Sequence, residues 1–164
     1  MDEFGSNQNL GKGQPSTTLY RSDDPRSRPQ VPILVVEDNK ADVFLLREAI
    51  RSAKIHAQLH IVNDGDKAIE FIERAEADES VARPAMILLD LNLPRKSGME
   101  VLRHVRNSRR CADALVIIVT SSDSENDRLE TARLGASRYF RKPSSYEAFI
   151  RIGEIVRDML EGRP

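Results

Sequence analysis

An α/β fold, with a doubly wound five-stranded parallel sheet covered by helices on both faces, is what this sequence predicts. Three observations lead there. Residues 33–36, Met86–Leu89 and 115–119 are short runs of continuous apolar residues with no polar alternation. Such runs fit strands buried on both faces. Between them lie segments whose apolar residues recur at helical spacing. The two kinds alternate strictly, which calls for parallel strands joined by right-handed crossovers.

Taken in order, residues 1–30 are rich in Ser, Asn, Gln, Gly, Pro and charge and have no apolar period. They bury too little to offset the entropy of ordering and read as a flexible tail. Gly11, Lys12 and Gly13 look like part of a phosphate loop, but the full spacing and a preceding strand are missing. The first strand, 33–36, runs into Glu37 and Asp38. Asn39 caps a helix whose stripe is Val43, Leu46 and Ile50, ending near Ala53. Residues 59–62 read as a strand and Asp64 as the cap of a second helix carrying Ala68, Ile69, Phe71, Ile72 and Ala75. Residues 76–83 form a polar loop, long for a helix-to-strand connection. The central strand, Met86–Leu89, is bounded by Pro84 and Pro94, which leave too little length for a helix. Asp90 therefore stands where a buried strand emerges at its carboxyl end, the end where open α/β sheets bind ligands.

Ser97 caps a third helix with Val101, Leu102 and Val105. The fourth strand, 115–119, ends in Thr120. Ser124 caps a fourth helix to about Leu134, and Gly135 suits its C-terminal stop. Tyr139 and Phe140 lie in a short fifth strand ending at Lys142 and Pro143. Ser145 caps one last helix with Phe149, Ile152, Val156 and Leu160 on one face.

With 164 residues the chain fits one domain. Its 25 Lys and Arg against 26 Asp and Glu give a net charge of −1, which carries no electrostatic footprint for nucleic acid. The local basic cluster of Arg103, His104, Arg106, Arg109 and Arg110 reads as the solvated face of a helix and the loop after it. The single cysteine, Cys111, leaves no internal disulfide and no cysteine metal cluster. No apolar run reaches membrane-spanning length and no signal-peptide core is present, so the cytoplasm is the expected location. His56 and His60 are four apart, but they fall on a loop and a strand face with no carboxylate at ligand spacing.

Four of the five strands end in a residue with chemistry: Glu37 and Asp38, Asp90, Thr120, and Lys142. A parallel sheet brings these ends to one rim. Three carboxylates gathered there repel one another, and a hard cation relieves the repulsion. Magnesium favours oxygen ligands, usually one or two carboxylates with a phosphate. A lysine and a hydroxyl alongside suit the oxygens of a phosphoryl group, and an aspartate can itself become an acyl phosphate.

Four segments carry a wider resemblance: ILVVEDN at 33–39, LLDLNLPRKSG at 88–98, IIVTSS at 117–122 and GASRYFRKP at 135–143. With them go the intervals of 30 residues from Asp90 to Thr120 and 22 from Thr120 to Lys142. From about residue 31 to 160 the chain resembles the receiver domain of bacterial two-component response regulators, of the single-domain CheY-like kind. The resemblance implies a flavodoxin-like strand order of 2-1-3-4-5, with residues 31–164 as the domain. It implies a phosphorylation-dependent switch that takes a phosphoryl group from a sensor histidine kinase and catalyses only its own phosphorylation and dephosphorylation. Asp90 is then the phosphoacceptor. Glu37, Asp38, Asp90 and the backbone carbonyl of Asn92 hold Mg2+. Thr120 and Lys142 take phosphoryl oxygens, and Asn92 and Ser122 tune the lifetime. Thr120 and Tyr139 form the switch: Thr120 moves toward the phosphoryl group and the Tyr139 ring turns inward. The surface of the fourth helix, fifth strand and fifth helix is then the expected site of partner binding or homodimerisation.

Ser121 departs from the alanine common in the family after the threonine. The loop at 76–83 and the wording around Asp90 resemble the single-domain regulators that pair with bacterial phytochromes, which makes a bacteriophytochrome the expected kinase. A downstream protein or phosphotransfer partner is implied, with neither nucleic acid nor membrane bound directly. Two other classes compete. An aspartate-nucleophile phosphohydrolase of the haloacid-dehalogenase kind has a second Asp two residues after the nucleophile, where this chain has Asn92. A pseudo-receiver scaffold would lack the complete set of site residues.

Overall fold

The alternation of apolar runs and helical stripes resolves into five strands and six α-helices among the described residues of the computed structural model, which are residues 24–162. In chain order they are β1 (Val31–Val36), α1 (Lys40–Ser52), β2 (Ala57–Val62), α2 (Gly65–Ala77), β3 (Met86–Leu89), α3 (Gly98–Asn107), β4 (Leu115–Thr120), α4 (Glu125–Arg133), β5 (Arg138–Arg141), α5 (Tyr146–Ile150) and α6 (Ile152–Leu160). The strands form one sheet in the order β2-β1-β3-β4-β5, every neighbouring pair parallel. The fold is thus the receiver-type arrangement expected from the sequence.

Successive strand residues point to opposite faces, which explains why the central strands are apolar throughout. Leu34, Val36, Ile87, Leu89, Val116 and Ile118 face one cluster, closed by α2 and α3. Ile33, Val35, Met86, Leu88, Ile117 and Val119 face the other, closed by α1, α5 and α6. Each such side chain contributes roughly 1.5–3 kcal/mol when fully buried. Helix α4 is different: among its residues only Thr131 is buried.

The five expected caps are all made. Asn39, Asp64, Ser97, Ser124 and Ser145 each accept a backbone N–H of the helix that follows. Ser97 and Glu100 complete a reciprocal capping box. Gly135 follows α4 at φ +91°, the left-handed conformation that ends a helix at least cost with glycine.

Several readings of the sequence are corrected. The last helix is two pieces. Arg151 (φ −60°, ψ −18°) separates α5 from α6 with a tightened, 3₁₀-like turn. β1 begins at Val31 rather than 33, because the Val31 N–H bonds the His56 carbonyl and the Pro32 carbonyl accepts from Ala85. β2 likewise begins at Ala57. Glu76 belongs to α2, so the polar loop starts after Ala77. Of the expected tail, residues 1–23, including Gly11, Lys12 and Gly13, lie outside the described residues. Residues Pro25–Ser27 form a 3₁₀ turn capped by Asp24.

The basic cluster is not a simply solvated face. The Arg106 guanidinium donates to the carbonyls of Gly135 (2.7 Å), Ala112 (2.7 Å) and Ala114 (2.8 Å), pinning the ends of α3 and α4 to the loop before β4. Arg103 pairs with Glu130 at 2.7 Å. Arg110 bonds the carbonyls of Ala75 and Asp78. The Glu76 carboxylate accepts from Ser108 Oγ at 2.5 Å and from the backbone N–H groups of Arg109 and Arg110 at 3.0 Å each. Beside it Cys111 is buried, and burial pushes its thiol up.

The Ser108 hydrogen bond, then that of the Arg110 amide, holds the Glu76 carboxyl down at about 2 against an ordinary 4.5. A carboxyl depressed in the folded state takes up its proton first in the unfolded chain. Its contribution to stability is present above about 4.5 and disappears as pH falls through about 2. Thermal melts of Glu76→Gln should therefore fall below those of the parent at pH 7, and the two should converge near pH 2. A gap that stays constant with pH would contradict this role.

Candidate functional site

β1 and β3 lie side by side, with Val36 opposite Leu89, so the residues that follow them emerge together at the carboxyl rim. Glu37 and Asp90 are buried there and Asp38 is exposed. One carboxylate oxygen from each of Glu37, Asp38 and Asp90 lies within 4.8 Å of the others. That spacing suits three oxygen donors around one hard cation. A cleft of about 370 Å³ opens beside Glu37 and Asp38, walled by Val43, Ile61 and Val62 and edged by Lys40 and Lys67.

The two buried acids are held from behind. The Asp90 N–H continues the sheet to the Val36 carbonyl at 3.1 Å, and its Oδ1 accepts the Asn92 N–H at 3.2 Å. Glu37 Oε1 accepts the Asn39 N–H at 2.9 Å. The next turn comes close behind Asp90: a Cβ on Gly98 would sit 2.2 Å from the Asp90 carbonyl oxygen.

Lys142 reaches this cluster from the far side of the sheet end. Its backbone N–H bonds the Thr120 carbonyl at 2.8 Å. Its ammonium donates to Glu37 Oε2 at 2.7 Å, Asp42 Oδ2 at 2.8 Å and Asp90 Oδ2 at 3.1 Å. Burial is the largest influence on Glu37 and pushes its carboxyl up to about 7, against the pull of Lys142 and the Asn39 N–H. Burial alone would lower the Lys142 ammonium, but Asp42, Glu37 and Asp90 together carry it upward. The carboxylates around Lys142 thus hold it in its charged form, while burial works against the charge on Glu37.

Thr120 is fully buried at the end of β4, and its Oγ1 accepts the Ser122 N–H at 3.3 Å. Ser122 is a small hub. Its Oγ donates to Asp127 Oδ2 at 2.5 Å, and its carbonyl accepts the Tyr139 hydroxyl at 2.9 Å. The Tyr139 ring packs against the α2 and α3 side of the core, with the Arg128 guanidinium 4.4 Å from its centroid. Tyr139 is therefore turned inward, the arrangement the sequence reading assigns to the switched form. Asn92 is exposed, and it reaches the site through its N–H to Asp90.

The structure thus gathers Glu37, Asp38, Asp90 and Lys142, with Thr120 at the same rim and Tyr139 linked through Ser122. His56 and His60 form no group with carboxylates at ligand distance among the described residues. Two participants escape the sequence reading. Asp42 looks like an ordinary acid in the first turn of a helix. Arg128 looks like a surface charge. A signal for Asp42 does exist: it is in helical register with Leu46 and Ala49, on the stripe that α1 buries.

Comparison with known proteins shows the family to which the fold belongs. Residues 33–152 match the response regulator receiver domain family. The chain is 37% identical over 116 residues to response regulator Rcp1 of Synechocystis sp., covering 71% of this chain and 79% of that protein. It is similar to the crystal structure of the phosphorylated cyanobacterial phytochrome response regulator RcpA, with a TM-score of 0.73, 29% identity and coverage of 80% of this chain and 94% of that one. The Mn(2+)-bound form of Rcp1 superposes with a TM-score of 0.72 at 32% identity, with the same coverage of 80% and 94%.

Proposed function

This chain belongs to the response regulator receiver domain family, and from that premise we propose that it is a phosphorylation-dependent signalling switch with Asp90 as its phosphoacceptor. The observation that carries the reading is the Lys142 ammonium within hydrogen-bond distance of both Asp90 and Glu37. An ammonium aimed at an aspartate beside two further carboxylates suits the binding of a phosphoryl group once the acids are neutralised.

The donors fit Mg2+: Glu37, Asp38 and Asp90 offer three hard carboxylate oxygens within 4.8 Å of one another, and this ion ordinarily completes its shell with water or phosphate oxygen. When bound, the ion neutralises charge on the acids and on the phosphoryl oxygens. The chain's residues do the rest. Asp90 Oδ attacks phosphorus, a P–O bond forms, and the P–N bond to the kinase imidazole breaks. The imidazole keeps the bonding electrons and picks up a proton. Lys142 and the Thr120 hydroxyl then donate to the phosphoryl oxygens. Hydrogen bonds to charged groups contribute roughly 1.5–3 kcal/mol each. Two or three approach the about 5.5 kcal/mol that turns a 1:99 equilibrium into 99:1.

The reading extends to a bacterial phytochrome as the kinase, supported by likeness to Rcp1 and RcpA. The output is a protein contact on the surface of α4, β5 and α5, where Leu129 and Tyr146 are exposed. A phosphohydrolase is disfavoured by Asn92, an amide that cannot replace the second aspartate of that class.

Incubation with acetyl phosphate and Mg2+ is expected to add one phosphoryl group by intact-mass spectrometry. Asp90→Asn and chelation of the metal should each remove it. Undiminished labelling of Asp90→Asn would sink the assignment.

A further inference from the structure

Lys142 has three N–H donors, and all three are taken by carboxylates. Two of these acceptors, Glu37 and Asp90, belong to the acidic trio whose oxygens converge within 4.8 Å; the third, Asp42, does not. The lysine is thus a resident cation competing with any metal for two of its three carboxylates. Its side chain is only 9% exposed, so where it lies the ammonium depends on carboxylates rather than bulk water for its partners. A buried ammonium without a partner is strongly disfavoured.

Asp42 answers that need. It stands in the first turn of α1, with its N–H fixed by Asn39 Oδ1 at 3.1 Å, and its carboxylate is 2.8 Å from the lysine. The Lys142 contact to Asp90 is the longest of the three, so the ammonium already leans toward Glu37 and Asp42. Resting on the functional reading above, we propose that Asp42 is a positioning residue that holds Lys142 on the α1 side and receives its ammonium when a divalent cation takes up the Glu37 and Asp90 carboxylates. A cation entering the trio repels the ammonium, and Asp42 is the anion outside the trio that receives it. Without Asp42, metal binding must also bear the cost of an unpaired lysine.

The test is a titration of the full chain with Mg2+ alone, followed by amide shifts of Asn39 and Asn92. Asp42→Asn keeps the size of the side chain and is expected to raise the Kd for Mg2+ roughly three- to tenfold, within the range for coupled neighbours. Asp42→Glu should recover most of the loss. In a Lys142→Met background the same Asp42→Asn change should alter the Kd by less than about twofold, because the lysine through which it acts is gone. A simple charge effect would instead weaken binding equally in both backgrounds, and that result overturns the inference. So does an unchanged Kd in Asp42→Asn while the parent binds normally. If the parent chain itself binds no Mg2+, the functional reading falls and takes this inference with it.

Discussion

Gly98→Ala is expected to destabilise the protein by about 3 kcal/mol or more and to displace the phosphoacceptor. Overpacking in a close-packed region typically costs 1–3 kcal/mol, at the lower end where a flexible side chain yields. Here nothing flexible yields. The added Cβ would meet the Asp90 carbonyl oxygen at 2.2 Å and the Leu91 Cα at 2.7 Å, both of them backbone. Nor can Gly98 back away, because its own N–H is bonded to the Leu91 carbonyl at 3.0 Å and it opens a capped helix. The strain must pass to Asp90 and Leu91. Urea unfolding reads the loss, and labelling by acetyl phosphate under conditions where the variant is folded reads the displacement. A variant with parental stability and labelling would show that the turn can open.

Lys142→Met should produce the second large effect, and it should depend on pH and on metal. Removing one partner from a buried ion cluster costs about 3 kcal/mol, because the other charges remain unpaired. In the parent, burial already raises Glu37 to about 7. A carboxyl raised in the folded state binds its proton more readily there than in the unfolded chain. Its unfavourable contribution is absent below about 4.5 and grows as pH climbs through about 7. Loss of the lysine intensifies this, since protonation of Glu37 becomes the remaining way to shed charge. The stability deficit of Lys142→Met in the absence of metal should therefore be larger at pH 8 than at pH 5. Saturating Mg2+ at pH 8 should restore a good part of it. Denaturant unfolding at the two pH values, with and without Mg2+, checks both statements. A deficit that ignores pH and metal would mean that Lys142 acts by packing alone.

Much of this was legible in the sequence because it is local or repeats along the chain. Continuous apolar runs announced the buried strands, and the caps at Asn39, Asp64, Ser97, Ser124 and Ser145 announced the helices. Asp90 and Lys142 were found because parallel strands deliver their ends to a common rim. The split at Arg151 was hidden because its dihedrals remain helical, so the apolar stripe runs on from Phe149 to Val156. Asp42 was hidden because an acid in a first helical turn is favoured by the helix dipole alone, and its partner is 100 residues away. The same distance problem hid Arg106 and Glu76. Their charges looked solvated, and nothing in the local sequence says that Gly135 or Ser108 will stand opposite them.

The Arg106 clamp has a mechanical meaning for α4. Its guanidinium grips the Gly135 carbonyl, just past the last turn of that helix, at the amino end of the sheet. The opposite end begins beside Ser122 at the phosphorylation rim, and between them α4 buries Thr131 and little else. What holds the helix is polar: Ser122 on Asp127 at one end, Arg128 over Tyr139 and Arg103 on Glu130 between, and Arg106 on the Gly135 carbonyl at the other. Such ties behave as moorings, each of which can be released singly without opening an apolar core. A helix held this way can shift at little cost in buried apolar surface.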